Sequence, residues 1–425
     1  MRVRLAVGAG RLVRWAARRR GGGSAFPGLV AMKIAPDFLE RTIADLPLGV
    51  VAVSGSNGKS TTTNMVSAIL RAHGLRVFTN PSGGNLPQGI ASAVLADASG
   101  SGRLAADVAV LEIDEAYGVQ LSQLLKPRTV LLLNVQIDQL NRFFEPDRVA
   151  GMLAKIASTA TGALVLNADD EHLVGLGAAL PAGSSARVSY FATAPELLGA
   201  VSQGMLSAPR FGSAATTTTT APDVVATALD GREATIEVNG VPTSVRLPAR
   251  GVHYAVDAAA AVAAARAALG ERFSAATAAS ALAELETVYG RGETLSANGE
   301  DIEIIMMKNP ASLQLNLDSL GTTPEQVFLA VDNGTPDPSW LYDIDLSRLS
   351  HADVISGTKG YQLAVRLAYN GLPVGVVEPE LRAAVRRFLA LPRPASGRKT
   401  MIVNYEQMML IRKILGYTDL EGGQS

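Results

Sequence analysis

The sequence contains no cysteine and only four histidines among its 425 residues. Without thiols the chain cannot form disulfides, hold zinc or an iron–sulfur cluster through cysteine, or use a cysteine nucleophile of its own. The low histidine count also argues against a histidine-rich metal site. No zinc site is therefore expected.

Long apolar runs and charged residues are both scarce. No apolar run reaches the roughly 18 residues that a membrane helix needs. Charged residues make up 18% and hydrophobic residues 48% of the chain, a composition that argues against intrinsic disorder. At about 150 residues per domain, the length predicts two or three domains with a large core.

Acidic residues are absent from the first 36 positions, which carry seven arginines and Lys33. This segment has a charge of +8, so the remainder carries −9 within a total of −1. A signal peptide is a poor match because Arg11 and Arg14 interrupt the apolar stretch, and a transit peptide fits only the composition. Two alternatives stay open: a basic helix at an anionic membrane surface, or a helix packed on the protein by its Leu, Val and Trp side chains. Nucleic-acid binding is disfavoured because only Trp15 interleaves the arginines and no base-reading module follows.

Strands alternate with helices along two stretches, which predicts two parallel sheets covered on both faces. Strands are expected near 50–53, 75–79, 107–112, 128–135 and 162–167. Asn239-Gly240 lies between two alternating stretches and predicts a hairpin, and two Ala-rich helices follow. The expected division is a basic segment (1–35), a central domain (36–295) and a smaller α/β domain (296–425).

The strongest local motif is residues 54–61, SGSNGKST, between a predicted strand and a predicted helix. Gly55 and Gly58 let backbone N–H groups turn inward around phosphate oxygens, and the helix N-terminus adds its positive dipole end. Lys59 supplies a positive charge to the terminal phosphates, and the hydroxyl that follows can reach Mg²⁺. The predicted nucleotide-binding residues of this loop are Gly55, Ser56, Asn57, Gly58, Lys59, Ser60 and Thr61.

The form GSNGKS resembles the ATP loop of the Mur ligases and folylpolyglutamate synthases. Other motifs are similar to those of the MurT family of Mur ligase-like synthase subunits: Glu112 with its following Ile-Asp-Glu-Ala-Tyr, the Asp-Gln-Leu-Asn-Arg run at 138–142, Lys308-Asn309-Pro-Ala, and the run from Asp337 to Asp345. Their order and spacing cover about residues 20 to 418. The resemblance implies a P-loop Mur ligase central domain with a parallel sheet and a smaller Rossmann-like C-terminal domain.

The same resemblance implies a function in peptidoglycan synthesis. ATP would phosphorylate the α-carboxylate of D-glutamate in the lipid II stem peptide, and ammonia would attack the acyl phosphate to give D-isoglutamine. Such a carbon–nitrogen ligase uses glutamine as amido donor through a GatD-type glutamine amidotransferase, which brings the cysteine that this chain lacks. The expected location is the cytoplasm, peripherally at the inner face of the cell membrane. The alternative enzyme is a Mur- or folylpolyglutamate-type ligase that adds an amino acid without a partner.

Roles for individual residues also follow from the resemblance. Lys59 and Glu112 are the expected catalytic residues of the ligase site, and Ser60 with Glu112 would bind Mg²⁺. Arg291, in Gly290-Arg-Gly-Glu, would approach the ATP phosphates. Asp257 stands where Mur ligases have an adenine-contacting Asn.

A further catalytic role is expected outside the ligase site. In the MurT family an Asp of the run 337–345 is thought to orient the histidine of the partner's Cys–His pair, as a third group does in a nucleophile–base arrangement. Asp337 is the first choice for that role here, with Asp343 and Asp345 as rivals. The competing interpretation of Asp337 is a helix cap, because Pro338 follows it.

Overall fold

The computed structural model describes residues 1–20, 25–43, 45–80, 84–136, 146–180, 185–199, 221–286, 291–335, 337–395 and 398–417. These residues form two sheets of nine and six strands, each with helices against it. The predicted α/β class, with a large mostly parallel sheet and a second smaller one, is confirmed.

The nine-stranded sheet has the order β2-β3-β1-β4-β5-β6-β7-β8-β9. Strands β1 to β7 pair in parallel, and β8 and β9 add an antiparallel meander at one edge. The predicted hairpin is confirmed, since Asn239 and Gly240 both have positive φ between β8 and β9, as a tight hairpin turn requires. The strands are β1 Val50–Ser54, β2 Val77–Thr79, β3 Val108–Glu112, β4 Thr129–Leu132, β5 Ala163–Asn167, β6 Arg187–Thr193, β7 Val224–Asp230, β8 Glu233–Val238 and β9 Val241–Arg246.

Helices cover both faces of this sheet, because its central strands are apolar on both sides. In β1, Val50 and Ala52 pack into one core and Val51 and Val53 into the other. The first core also receives residues of α1–α3 and α5–α8, and the second receives α4, α10 and α11. The helices are α1 Arg2–Arg20, α2 Phe26–Ile34, α3 Phe38–Ile43, α4 Lys59–Ala72, α5 Pro87–Asp97, α6 Glu115–Leu125, α7 Pro146–Ala157, α8 Glu171–Ala178, α9 Pro195–Leu198, α10 Val252–Leu269 and α11 Ala275–Ala283.

The six-stranded sheet has the order β10-β11-β15-β12-β13-β14, with only β10 antiparallel to its neighbour. Its first strand begins at Arg291, ahead of the boundary expected at residue 296; the division into domains stays a prediction. The elements are β10 Arg291–Ala297, β11 Glu300–Met306, α12 Pro310–Asp318, β12 Val327–Ala330, the 3₁₀ helix Ser339–Asp343, β13 Ala352–Ser356, α13 Gly360–Tyr369, β14 Val374–Val377, α14 Leu381–Leu389, β15 Lys399–Val403 and α15 Tyr405–Ile414.

The segment Val252–Arg272, which contains α10, is long and apolar enough to cross a membrane by length and composition alone. Of its most apolar window, 72% is buried inside the protein. Alanine fills most of its inward positions, which lets the helix lie close to the sheet and to α4. It is a core helix of the central domain.

Helix α1 packs on α2 and α5 with Val3, Ala6, Val7 and Gly10. Of the Leu, Val and Trp side chains that the packed alternative assigned to the contact, Val7 is buried there. Leu5, Leu12 and Trp15 lie on the opposite face and are exposed. The small and β-branched residues allow the closer helix contact.

Candidate nucleotide site between the two domains

The loop between β1 and α4 has the backbone shape that phosphate binding needs. Gly55 has φ +136° and Gly58, the residue before α4, has φ +84°, a region that side chains disfavour. A Cβ on Gly55 would lie 3.0 Å from the backbone nitrogen of Asn134, and one on Gly58 would collide with the Asp257 carboxylate. Both positions therefore require glycine for a steric reason as well as a conformational one.

Residues at the end of β4 hold this loop in place. The backbone N–H of Ser56 donates to the carbonyl of Asn134 at 3.1 Å, and that of Asn57 donates to the Asn134 side-chain oxygen at 2.9 Å. The Gln136 backbone N–H donates to Ser56 Oγ at 3.0 Å. The loop thus has its shape fixed before any ligand arrives, and Ser56 is committed to this support.

Lys59 is almost fully buried and forms an ion pair. Its Nζ lies 2.6 Å from Glu115 Oε1, and the two side chains are 9% and 5% exposed. Nζ also donates to the carbonyl of Gly55 at 2.5 Å. Glu115 therefore balances the lysine charge inside the loop, a role that the sequence analysis missed although Glu115 stands in the quoted Glu-Ile-Asp-Glu run.

Glu112 lies at the carboxyl ends of the parallel strands, as the loop does, because β3 pairs Glu112 with Val53 of β1. The Asn80 side chain fixes the Glu112 backbone, accepting from its N–H at 2.9 Å and donating to its carbonyl at 3.0 Å. Ser60 is in the first turn of α4. A hydroxyl and a carboxylate are oxygen donors that suit Mg²⁺.

Within the described ranges no group of three or more His, Asp or Glu side chains is arranged to hold a metal. Mg²⁺ usually keeps several waters and binds through one or two carboxylates plus phosphate oxygens. The sparse donor set of Ser60 and Glu112 fits that habit.

A cleft of about 600 Å³, open to solvent, runs from the loop to the second domain. Asp257, on the first turns of α10, is buried and lies against Gly58. The central domain lines the cleft with Asn57, Gly58, Asn134, Gln136, His253 and Asp257, and the second domain with Met306, Lys308, Ser312, Leu315 and Asn316. A lining of polar and apolar side chains together suits a small-molecule ligand.

The second domain contacts the phosphate loop directly. Lys308 Nζ donates to the carbonyl of Ser56 at 3.1 Å, and Asn309 Nδ2 donates to Asn57 Oδ1 at 2.9 Å. Asn309 also caps α12 in a capping box with Ser312. The loop after β11 therefore joins the two domains at the place where phosphate would bind.

Asp337 lies away from this loop, after β12 and before the 3₁₀ helix, and is exposed. Its Oδ1 accepts the backbone N–H of Ser339 at 2.9 Å. Hydrogen bonds from the Ser339 backbone and hydroxyl lower the pKa of Asp337, and the charge of Lys359 lowers it further. The carboxylate is therefore ionised and accessible, and it accepts the Ser339 N–H in an Asx turn, while Pro338 is the N-cap of the 3₁₀ helix.

Buried polar residues support the chain before Asp337. Asp332 accepts from the Asn404 side chain at 2.8 Å and from the Gln407 side chain at 2.7 Å. Burial raises the pKa of Asp332, but these bonds and the Gly334 N–H outweigh it and hold the pKa below its ordinary value. Of the rivals, Asp343 is exposed and Asp345 caps the turn at Ser347.

Several predicted elements lie wholly or partly outside the described residues. The backbone of Arg291 begins β10 and pairs with Ile305, but the position of its side chain is not described. The Asp-Gln-Leu-Asn-Arg run and Gly290 fall in undescribed ranges. Their expected roles stay predictions.

Comparison with known proteins gives two family matches and similar solved structures. The Mur ligase middle domain matches residues 53–265, and the MurT ligase C-terminal domain matches residues 306–408. The MurF ligase from Thermotoga maritima in complex with ADP superposes with a TM-score of 0.63 at 18% identity, covering 91% of this chain and 82% of that one. This likeness supports the fold.

Curated relatives agree with the family matches. Subunit MurT of lipid II isoglutaminyl synthase (glutamine-hydrolyzing) from Staphylococcus aureus (strain COL) is 33% identical over 171 residues, 40% of this chain and 38% of that protein. The subunit of the same name from Streptococcus pneumoniae (strain ATCC BAA-255 / R6) is 35% identical over 171 residues, 40% of this chain and 37% of that one. The matched stretch is thus under half the length of each relative. Because the middle-domain match alone spans half of the 425 residues, the chain belongs to the Mur ligase family, and its C-terminal domain is of the MurT type.

Proposed function

We propose that this chain is the ATP-dependent synthase subunit of a lipid II isoglutaminyl synthase. It would amidate the α-carboxylate of D-glutamate in the stem peptide to D-isoglutamine. The observation that carries the proposal is the joining of a preformed phosphate loop to a MurT-type domain through Lys308 and Asn309. The named activity of the MurT relatives supplies the substrate class.

The chemistry would proceed in two steps. A carboxylate oxygen attacks the terminal phosphorus of ATP, the bond to ADP breaks, and an acyl phosphate forms. The ammonia lone pair then attacks the carbonyl carbon, inorganic phosphate leaves, and a proton passes to solvent. Because the carboxylate oxygen becomes part of the phosphate, no water enters the product.

The residues of the loop act mainly by position and charge. Gly55 and Gly58 turn backbone N–H groups toward the phosphates, and Lys59 would contact the terminal ones after exchanging Glu115 for phosphate oxygens. Arg291 is proposed to approach the same charge. Asp257, which lines the cleft, would accept a hydrogen bond from the adenine amino group.

Mg²⁺ fits the oxygen donors of Ser60 and Glu112. When bound, it supplies positive charge that neutralises the phosphate oxygens. The Asn80 side chain holds the backbone of Glu112 at the carboxyl end of β3 for this role.

Ammonia would come from a GatD-type glutamine amidotransferase. The chain has no cysteine, so a glutaminase nucleophile of that type must be on another subunit. We propose that Asp337, ionised and exposed, reaches the partner's Cys–His pair and fixes its imidazole. A lipid-linked substrate places the reaction at the cytoplasmic face of the membrane.

The test is reconstitution with a GatD-type subunit, lipid II, ATP and glutamine. The proposal requires an amidated product that depends on ATP, and ammonium salt must replace the partner and glutamine together. Hydroxylamine supplied instead should give a hydroxamate, because it traps the acyl phosphate. Addition of an amino acid by the chain alone would instead identify a Mur- or folylpolyglutamate-type ligase.

A further inference from the structure

The N-terminal helix α1 shows apolar residues on two opposite faces. The inward face packs through Ala6, Val7 and Gly10 against the central domain. The outward face carries Leu5, Leu12 and Trp15, which are 59%, 65% and 55% exposed. With Gly8 between them, their spacing of three and four residues makes one continuous stripe along the helix.

A solvated helix on a protein surface usually has polar residues along its outward face. Here arginines flank the stripe instead of replacing it: Arg2 and Arg4 are exposed, and Arg11 is bonded to the end of α5 through the Leu95 and Ala98 carbonyls. The bonds of Arg11 hold α1 on α5, so its outward face is fixed in direction. An apolar stripe between cationic side chains is the pattern of a helix lying in a membrane interface.

The neighbouring helix α2 continues the same character. Phe26, Leu29 and Ile34 are exposed, and Lys33 lies among them. Helix α2 packs directly on α1. The two helices together expose several large apolar side chains with only basic charges, since the first 36 residues contain no acid.

We propose that α1 and α2 form an interfacial anchor that binds the chain to an anionic lipid surface. The segment charge of +8 matches a negatively charged headgroup layer, and the apolar side chains would enter its outer acyl region. A second copy of the chain is a poorer occupant, because two such segments face to face would repel each other. The inference concerns a surface outside the nucleotide site and does not depend on the proposed reaction.

The chain contains its own probe for this proposal. It has two tryptophans, of which Trp15 lies in the exposed stripe and Trp340 is buried in the second domain. In a Trp340→Phe background, the emission of Trp15 alone reports whether the stripe leaves water. Flotation of the same protein with vesicles measures binding independently.

The experiment compares vesicles containing phosphatidylglycerol with pure phosphatidylcholine vesicles. We expect flotation and a blue shift of Trp15 emission only with the anionic vesicles, both falling as salt rises. Leu12→Ser should weaken partitioning about tenfold because it removes one inserted apolar side chain. Arg4→Gln should weaken it about fivefold.

The matched control is Val241→Ser, which removes an exposed apolar side chain on β9 and should leave partitioning unchanged. Leu12 and Arg4 are exposed, so unchanged far-UV circular dichroism is expected for both variants. The proposal is overturned if the protein does not float, or if Leu12→Ser and Val241→Ser behave alike. A vesicle-free dimer that Leu12→Ser dissociates would also overturn it, because the stripe would then be a contact between copies.

Discussion

The ion pair of Lys59 and Glu115 gives the sharpest quantitative prediction. The Nζ–Oε1 distance is 2.6 Å and both side chains are below 10% exposed. At an effective dielectric constant of about 20 the gross attraction is about 6 kcal/mol. Removing one partner of such a buried pair typically costs about 3–5 kcal/mol of stability. We assign about half of that cost to the buried charge that is left without a counter-charge. Lys59→Met and Glu115→Gln should each lower the free energy of unfolding by about 3 kcal/mol.

The double variant should cost clearly less than the sum of the two, by about 2–3 kcal/mol, because it leaves no stranded charge. Urea unfolding of all four proteins without nucleotide, followed by far-UV circular dichroism, measures this coupling. Mg²⁺-ATP should restore more stability to Glu115→Gln than to the parent, since phosphate can take the place of the lost carboxylate. Additive single and double effects would refute the assignment of Glu115 as the counter-charge of the loop lysine.

Four further predictions test other residues and the metal. Gly58→Ala should abolish nucleotide binding measured by calorimetry. The control Gly74→Ala, at nearly the same φ of +82° but in open space, should lower stability and leave binding intact. Equal nucleotide binding by both variants would refute the steric requirement that Asp257 imposes on residue 58. Asp337→Asn should stop glutamine-dependent amidation yet keep ammonium-dependent amidation; loss of both would indicate a role in folding or in the ligase site. Folding lowers the pKa of Asp332, so its contribution to the free energy of unfolding is present above its ordinary pKa of about 4 and is lost as pH falls through the folded value. In urea unfolding, Asp332→Asn should reduce the loss of stability between neutral and acidic pH. An unchanged loss would contradict the assignment. Chelation of Mg²⁺ should stop turnover, and elemental analysis should find no stoichiometric zinc.

The phosphate loop could be predicted from the sequence because its chemistry is local. Gly55 and Gly58 are at the positions that positive φ requires, and Lys59 follows at the start of a helix. The strand order could be anticipated only as far as a parallel sheet, since neighbours such as β1 and β4 are far apart in sequence. Local patterns therefore located the phosphate loop but not the residues from distant parts of the sequence that surround it.

Glu115 and the loop supports Asn134 and Gln136 show where prediction from sequence ends. Glu115 is 56 residues from Lys59 and Gln136 is 80 residues from Ser56. Only the folded sheet brings these side chains together, and no spacing rule connects them. The charge balance of Lys59 is thus a tertiary property.

Helix α1 shows a different limit. Its composition allowed both a packed helix and a membrane-surface helix, and the sequence alone could not assign the faces. The structure packs Ala6 and Val7 inward and turns Leu12 and Trp15 outward. A helix with two apolar faces has no single hydrophobic direction, so the packing partner decides which face stays exposed.

Transfer of a carboxylate oxygen to inorganic phosphate distinguishes activation as an acyl phosphate from other routes to the amide. Lipid II labelled with ¹⁸O in the D-glutamate α-carboxylate is incubated with the chain, ATP, Mg²⁺ and ammonium, and the inorganic phosphate is analysed by mass spectrometry. We expect one labelled oxygen in the phosphate for each amide formed, because the carboxylate attacks the terminal phosphorus. Amide formation with unlabelled phosphate would contradict activation as an acyl phosphate.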